Sequence, residues 1–237
     1  MLLADLELPA GAWFPGHEHP VHQLVWSARG VVAVTAGDAH WVLPTTRALW
    51  VPAGVWHRTG AVGNAVLRGI YAAPQRCPVS WPEPRIVAVG PLLRALLDHL
   101  TGGQLADGPR RRAEAVAFDL LQPLDLAPIV VPSPLDPRAR DVQAAVLADP
   151  ADRRGLAELG RAVGAGERTL ARAFTHDCGM TFGTWRTQVR LRASLPLLAA
   201  GQPMEAVARQ VGYSTASAFV AAFRRSVGVT PGAYFAS

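Results

Sequence analysis

The chain has 237 residues, half of them hydrophobic and 17% charged, with two cysteines and a formal net charge of +5. That length predicts two domains with packed cores. No apolar run is long enough for a membrane span, and Cys77 and Cys178 fall in different predicted domains, which argues against a disulfide framework and fits a reducing cytoplasm. The N-terminus, Met1 to Glu7, lacks a basic segment and is a poor signal peptide. The charge is uneven: residues 1–132 hold 10 Arg and 10 Asp plus Glu, whereas residues 133–237 hold 13 Arg and 8 Asp plus Glu. The whole excess lies in the C-terminal part, as a DNA-binding domain requires. All 23 basic residues are Arg, which GC-rich coding explains, so their location carries more weight than their number.

Residues 1–83 contain short β-rich runs, Gln23–Trp26, Gly30–Thr35, His40–Leu43 and Ala48–Val51, with turns at Gly30, Gly37-Asp38 and Pro52–Gly54. Many short strands at close spacing predict a β-sandwich or barrel. Of Trp13, Trp26, Trp41, Trp50 and Trp56, five of its six tryptophans, most are expected in the core, the alternative being the lining of an apolar pocket. Two histidine fragments stand out: His17-Glu-His19 with His22-Gln23, and Pro52-Ala-Gly54-Val-Trp-His57. On one strand His17, His19 and Gln23 would share a face and His22 would point away unless a bulge intervenes. With His57 they can build a half-open site for a divalent metal such as Zn, Ni, Mn or Fe; the other reading is a sensor pocket or hydrogen bonding within the barrel. The two fragments resemble the two cupin motifs, a resemblance that implies His17, His19 and His57 as ligands, with Gln23 where a cupin usually has Glu. His40, His99 and His176 have no partner pattern.

Residues 84–132 change character. Pro91–Leu100 shows helical spacing and stops before Gly102-Gly103; Arg110–Leu121 is a second helical stretch ending before Pro123. Leu126–Pro134 is proline-rich and is the expected interdomain linker. The predicted organisation is a sensor domain over 1–83, a helical coupling or dimerisation segment with linker over 84–132, and a DNA-binding domain over 133–237.

Residues 133–237 read as all-helical and contain one pattern twice. Leu156–Gly164, Phe174 and Gly179–Trp185 match Met204–Gly212, Phe223 and Gly228–Tyr234, with Phe174 and Phe223, and Gly179 and Gly228, at the same separation. Each copy reads as helix, glycine turn, helix, and two in tandem suit successive major grooves. Pro137 suits the first turn of a helix running to about Ala148. In the first copy Leu170 and Phe174 point into the core, which leaves Arg168, Thr169, Arg172 and Thr175 for DNA, with Arg able to grip guanine bidentately. In the second, a reading helix from about Ser214 to Arg225 buries Phe219 and Phe223. It turns Thr215, Ala216, Ser217, Val220, Ala221 and Arg224 outward, short or apolar groups better suited to docking than to base reading. Pro203 is expected at the first helical position and Thr181 as the N-cap of the connector. A connector of about 17 residues spans roughly 26 Å, comparable with a DNA turn of about 34 Å.

Glu167–Phe174, Gly179–Arg186, Val207–Tyr213, Ser217–Phe219, Phe223-Arg224 and Thr230–Tyr234 resemble the AraC/XylS family of transcriptional regulators over residues 137–237. The resemblance implies two helix-turn-helix units on a long connecting helix. Ala171 stands where the family often has a longer polar reader, and Pro196 lies inside the connector, where it should kink the helix or end it early. The expected fold is α+β and multidomain: a cupin-like β-barrel, a helical linker region and an all-α tandem helix-turn-helix domain. The expected function is a cytoplasmic, non-enzymatic, one-component regulator that binds double-stranded promoter DNA, responds to a small-molecule or metal effector, can form a homodimer, and meets RNA polymerase if it activates. Alternatives are a metal-dependent cupin enzyme fused to a DNA-binding domain and a ligand-independent DNA binder.

Overall fold

The computed structural model describes residues 2–102 and 105–236. Met1 and Gly103, which enter the readings of the N-terminus and of the first helix stop, lie outside the described residues. The chain divides into two units, one formed by residues 1–37, 41–126 and 235–237, the other by residues 38–40 and 127–234.

The first unit is built on antiparallel strands: β1 (Leu2–Leu8), β2 (His22–Arg29), β3 (Val32–Ala36), β4 (Ala39–Leu43), β5 (Arg47–Val51), β6 (Arg58–Ala61), β7 (Ala65–Ala72) and β8 (Arg85–Ala88). Two helices follow, α1 (Pro91–Gly102) and α2 (Asp107–Asp119). One sheet has the order β1-β7-β2-β5-β8; in the other, β6 and β4 flank β3. Sequence reading located β2 to β5 but not β1, β6, β7 or β8.

A shared core explains why the helices stay with this sheet. Leu93, Leu97 and Leu100, at helical spacing on α1, bury against Leu24, Trp26, Trp50 and Ile70. Of the six tryptophans of this unit, Trp26, Trp41 and Trp50 are buried, Trp81 is half-buried against the same core, and Trp13 and Trp56 are exposed. Trp26 also donates from Nε1 to the Thr45 carbonyl at 2.8 Å, so its polar edge is not stranded. Mid-strand on β7, Arg68 would be costly to bury alone. Its register partner Asp5 on β1 takes Nε and Nη2 at 2.7 and 2.8 Å, and Asp98 on α1 takes Nη1.

The second unit opens with the two-residue strand β9 (Ile129–Val130), paired with Ala39 and His40. The helices are α3 (Pro137–Ala148), α4 (Leu156–Ala162), α5 (Glu167–Cys178), α6 (Phe182–Ala199), α7 (Met204–Gln210), α8 (Ala216–Val227) and α9 (Pro231–Phe235). Each half of the sequence repeat does the same local work. The second helix of each copy ends on a left-handed glycine, Gly179 at φ 67° and Gly228 at φ 100°. Two residues on, a threonine caps the next helix: Thr181 Oγ1 accepts from Thr184 N at 3.2 Å, and Thr230 Oγ1 accepts from Ala233 N at 3.2 Å. The short α9 is therefore the second copy's counterpart of the start of α6. Phe174, Phe182 and Trp185 form the first aromatic core; Tyr213, Phe219, Phe223 and Tyr234 form the second.

Three expectations need correction. Pro196 does not end the connector early: α6 runs on to Ala199. Proline there sits in the last turn and removes only the single N–H that would have met the Arg192 carbonyl. Pro203 is the N-cap of α7 and not its first residue. The second reading helix runs from Ala216 to Val227, because the Thr215 hydroxyl accepts from Ala218 N at 3.2 Å and fixes the start there.

Candidate sensor and nucleic-acid sites

The histidine cluster forms, but not from one strand. β2 begins only at His22, so His17 and His19 lie on the segment before it. What places them is pairing with the approach to β6: His17 and His57 exchange both backbone hydrogen bonds, at 3.0 and 2.9 Å, and Gly54 N donates to the His19 carbonyl at 2.9 Å. The glycine turn and the distant histidine thus arrive together. Each of His17, His19 and His57 offers a ring nitrogen, and these atoms all lie within 4.8 Å of one another. His57 is buried, His19 half-buried and His17 exposed, so the cluster opens on the His17 side. His22 takes no part: its ring lies against Trp50 and its Nδ1 accepts from Ala53 N at 3.1 Å.

Hydrogen bonds fix the tautomers. Nδ1 of His17 meets the Pro15 carbonyl at 3.0 Å, Nδ1 of His19 the Val21 carbonyl at 2.7 Å, and Nδ1 of His57 the Val55 carbonyl at 2.9 Å. A carbonyl only accepts, so each Nδ1 carries the proton and each neutral ring presents its Nε2 lone pair. Gln23 Oε1 stands 3.0 Å from Nε2 of both His19 and His57, and the Gln23 amide nitrogen donates to the Tyr71 hydroxyl at 3.1 Å. Burial pushes the His57 imidazole down from its ordinary pKa; the Val55 carbonyl opposes this, and neighbouring His17 and His19 add to it. A buried ring disinclined to protonate keeps its lone pair for a ligand. Three imidazole nitrogens and an amide oxygen suit a borderline divalent ion such as Zn or Ni, and modest side-chain rotation closes the span to the roughly 3.4 Å edge of a tetrahedron with bonds near 2.1 Å. Tyr71 escapes sequence reading altogether. It lies opposite Gln23 in the β2–β7 register, and no local pattern marks it.

On α5, Leu170 and Phe174 are buried while Arg168, Arg172 and Thr175 are exposed and Thr169 is half-buried. The Thr175 hydroxyl donates to the Ala171 carbonyl at 2.9 Å, which leaves its lone pairs facing out. On α8, Phe219 and Phe223 are buried. Ala216, Ser217, Val220, Ala221 and Arg224 line a shallow open groove that also takes in Arg225 and Thr230. Arg225 was not among the sequence candidates; its spacing of four from Ala221 and eight from Ser217 marks it. Thr215 is exposed, with its side-chain oxygen engaged as the α8 cap.

An antiparallel-sheet unit with a histidine cluster and a unit of two helix-turn-helix elements define a two-part, DNA-binding regulator. Two family models match: one described as an AraC-like ligand binding domain over residues 10–121, the other as a helix-turn-helix domain over residues 159–237. The HTH-type transcriptional regulator NimR of Escherichia coli K12 is 30% identical over 226 residues, covering 94% of this chain and 82% of that protein. The HTH-type transcriptional regulator RipA of Corynebacterium glutamicum is 35% identical over 103 residues, 44% of this chain and 31% of that protein. Among solved structures, ToxT of Vibrio cholerae with bound unsaturated fatty acid aligns over 99% of this chain and 94% of that chain, at 10% identity and a TM-score of 0.40. The chain belongs to the AraC family of transcriptional regulators. It is an effector-responsive, DNA-binding transcription regulator. Among the described residues no helix is long and apolar enough to cross a membrane.

Proposed function

We propose that the effector is, or includes, a divalent transition-metal ion held by His17, His19, His57 and Gln23, and that its binding changes the affinity of α5 and α8 for promoter DNA. The observation that carries this is the shared tautomer: three backbone carbonyls hold three Nδ1 protons, leaving three Nε2 lone pairs converging beside Gln23 Oε1. Gln23 offers no carboxylate to serve as a base, which favours sensing over turnover. The ion acts only by favouring one of two pre-existing arrangements of the protein.

Arg168 and Arg172 read bases from α5, with Thr169 and Thr175 beside them. Thr215, Ala216, Ser217, Val220 and Arg224 of the second unit chiefly hold the duplex. Leu92 and Val116, exposed on α1 and α2, support homodimer formation through these helices. The test is equilibrium dialysis of metal-free protein against Zn, Ni, Mn and Fe, followed by operator binding with and without the retained ion. The expected result is one ion per chain, lost in His17→Ala and His57→Ala, and a changed operator affinity on loading. Equal retention by the variants, or no retention by the wild type, overturns the metal reading.

A further inference from the structure

For neutral rings protonated at Nδ1, the Gln23 side chain sits in a conflict that two states of its amide can resolve. With all three Nδ1 atoms protonated, Nε2 of His19 and His57 are acceptors, and Gln23 Oε1, 3.0 Å from each, is an acceptor too. Oxygen facing two lone pairs is repulsive unless a cation lies between them. A half-turn of the amide removes the conflict without any cation. The –NH₂ group then has two hydrogens for two Nε2 acceptors, and Oε1 faces the Tyr71 hydroxyl, which turns its proton toward it. Both orientations use the same three partners, His19, His57 and Tyr71. Tyr71 serves either state because a phenol both donates and accepts, and it is held in place as Gln23's register partner across β2 and β7.

We propose that Gln23 is a turnable amide whose two orientations are the metal-free and metal-loaded states of the site. The inference rests on the metal reading above. In the loaded state Oε1 faces the divalent ion and the amide nitrogen donates to Tyr71. In the free state the amide nitrogen donates to the two imidazoles and Tyr71 donates to Oε1. Two consequences follow from the residue type. An incoming ion has to displace two good hydrogen bonds, which keeps its binding reversible, as a sensor needs. A carboxylate at this position would have no hydrogen to give the two Nε2 atoms and would add a negative charge, so it would hold the ion far more tightly.

The experiment is heteronuclear NMR on ¹⁵N-labelled full-length protein, stripped of metal and then titrated with Zn. The metal-free protein should show through-hydrogen-bond nitrogen–nitrogen coupling between the Gln23 amide and Nε2 of His19 and His57. Zn should abolish that coupling and shift the Gln23 amide signals. Gln23→Glu should bind Zn more tightly than wild type and release it more slowly to a chelator. Absence of the coupling in the metal-free protein, or Zn binding that leaves the Gln23 amide unchanged, overturns the turning amide while leaving the metal site standing. A Gln23→Glu affinity equal to wild type does the same. Coupling that is present while Zn, and then Ni, Mn and Fe in the same titration, all fail to bind overturns the metal reading and with it the loaded state.

Discussion

The guanidinium of Arg190 lies over the ring of Tyr213, 5.6 Å from its centroid, and occupies the space beside Gly212 that a Cβ would need. Arg190 belongs to α6 and Tyr213 to the turn between α7 and α8. The same guanidinium donates to the carbonyls of Pro150 at 2.9 Å and Asp152 at 3.0 Å, just ahead of α4. One side chain therefore ties the connector to the second reading unit and to the entrance of the first. Arg190→Ala should destabilise this unit by about 1.5–3 kcal/mol, the range for hydrogen bonds to a charged group, read by chemical denaturation. Gly212→Ala should also destabilise by more than about 1 kcal/mol, because φ is +86° and the new Cβ would stand 2.8 Å from Ala151 Cα. If both variants match wild type, the tie carries no weight.

Base reading is expected to sit on α5. Arg172→Ala should cost roughly 1–3 kcal/mol on the operator and flatten preference among operator variants. Arg225→Ala, in the groove of α8, should weaken specific and scrambled DNA alike and reduce the salt slope by about 1. Fluorescence anisotropy across a salt series separates the two. Equal losses for Arg172→Ala on operator and scrambled DNA would remove its reading role.

The Arg68 triad predicts an order of effects. The Arg68 side chain is 9% exposed, whereas those of Asp5 and Asp98 are 37% and 54% exposed. Hydrogen bonding to the Asp5 carboxylate is the largest factor holding the Arg68 charge in place. Asp5→Ala strands a buried cation with one partner left and should cost about 3 kcal/mol or more. Arg68→Met removes the buried charge, lets both carboxylates return to water, and should cost less. A larger loss for Arg68→Met in urea titrations would reverse the argument.

A pH dependence follows from His40. Within the second unit, Arg192 Nη1 donates to His40 Nε2 at 3.2 Å. Burial first, and then the Arg192 charge, lower the His40 pKa from 6.5 to about 4. Below 6.5 the unfolded chain takes up a proton that the folded chain refuses, so the unfolded state gains. Stability contributed at this position is intact above pH 6.5 and falls as the pH drops from 6.5 towards 4. His40→Gln keeps an acceptor for Arg192 but cannot titrate, and should flatten the slope in that window. An unchanged slope in denaturation curves at pH 7 and 5 would assign the effect elsewhere.

How much of this could be read from the residues depends on how far apart the partners lie. Gly179, Thr181, Gly228 and Thr230 act on groups within four residues of themselves, so the helix-turn-helix half is legible as a repeat. The histidine cluster is legible as two fragments, yet the chain does not assemble it on one shared strand, because β2 begins only at His22. The backbone exchange between His17 and His57 does that work across 40 positions. Strand β7 is not legible in the sequence because Arg68 and Gly69 interrupt its apolar run. Its charge makes sense only beside Asp5, and its glycine only beneath the ring of Tyr71. Pro196 leaves α6 intact to Ala199, since a proline is disruptive in mid-helix and tolerable in a final turn.

The anchors of the three imidazoles are main-chain carbonyls, those of Pro15, Val21 and Val55. Every residue has such a carbonyl, so exchanging the side chains at those positions leaves the anchors in place. Across a lineage the orientation of the rings is thereby shielded from drift in the neighbouring sequence. On the metal site proposed above, the inheritable variation that matters narrows to His17, His19, His57 and Gln23, and Gln23 is the position where one nucleotide change, to Glu, would trade ready release of an ion for tighter retention.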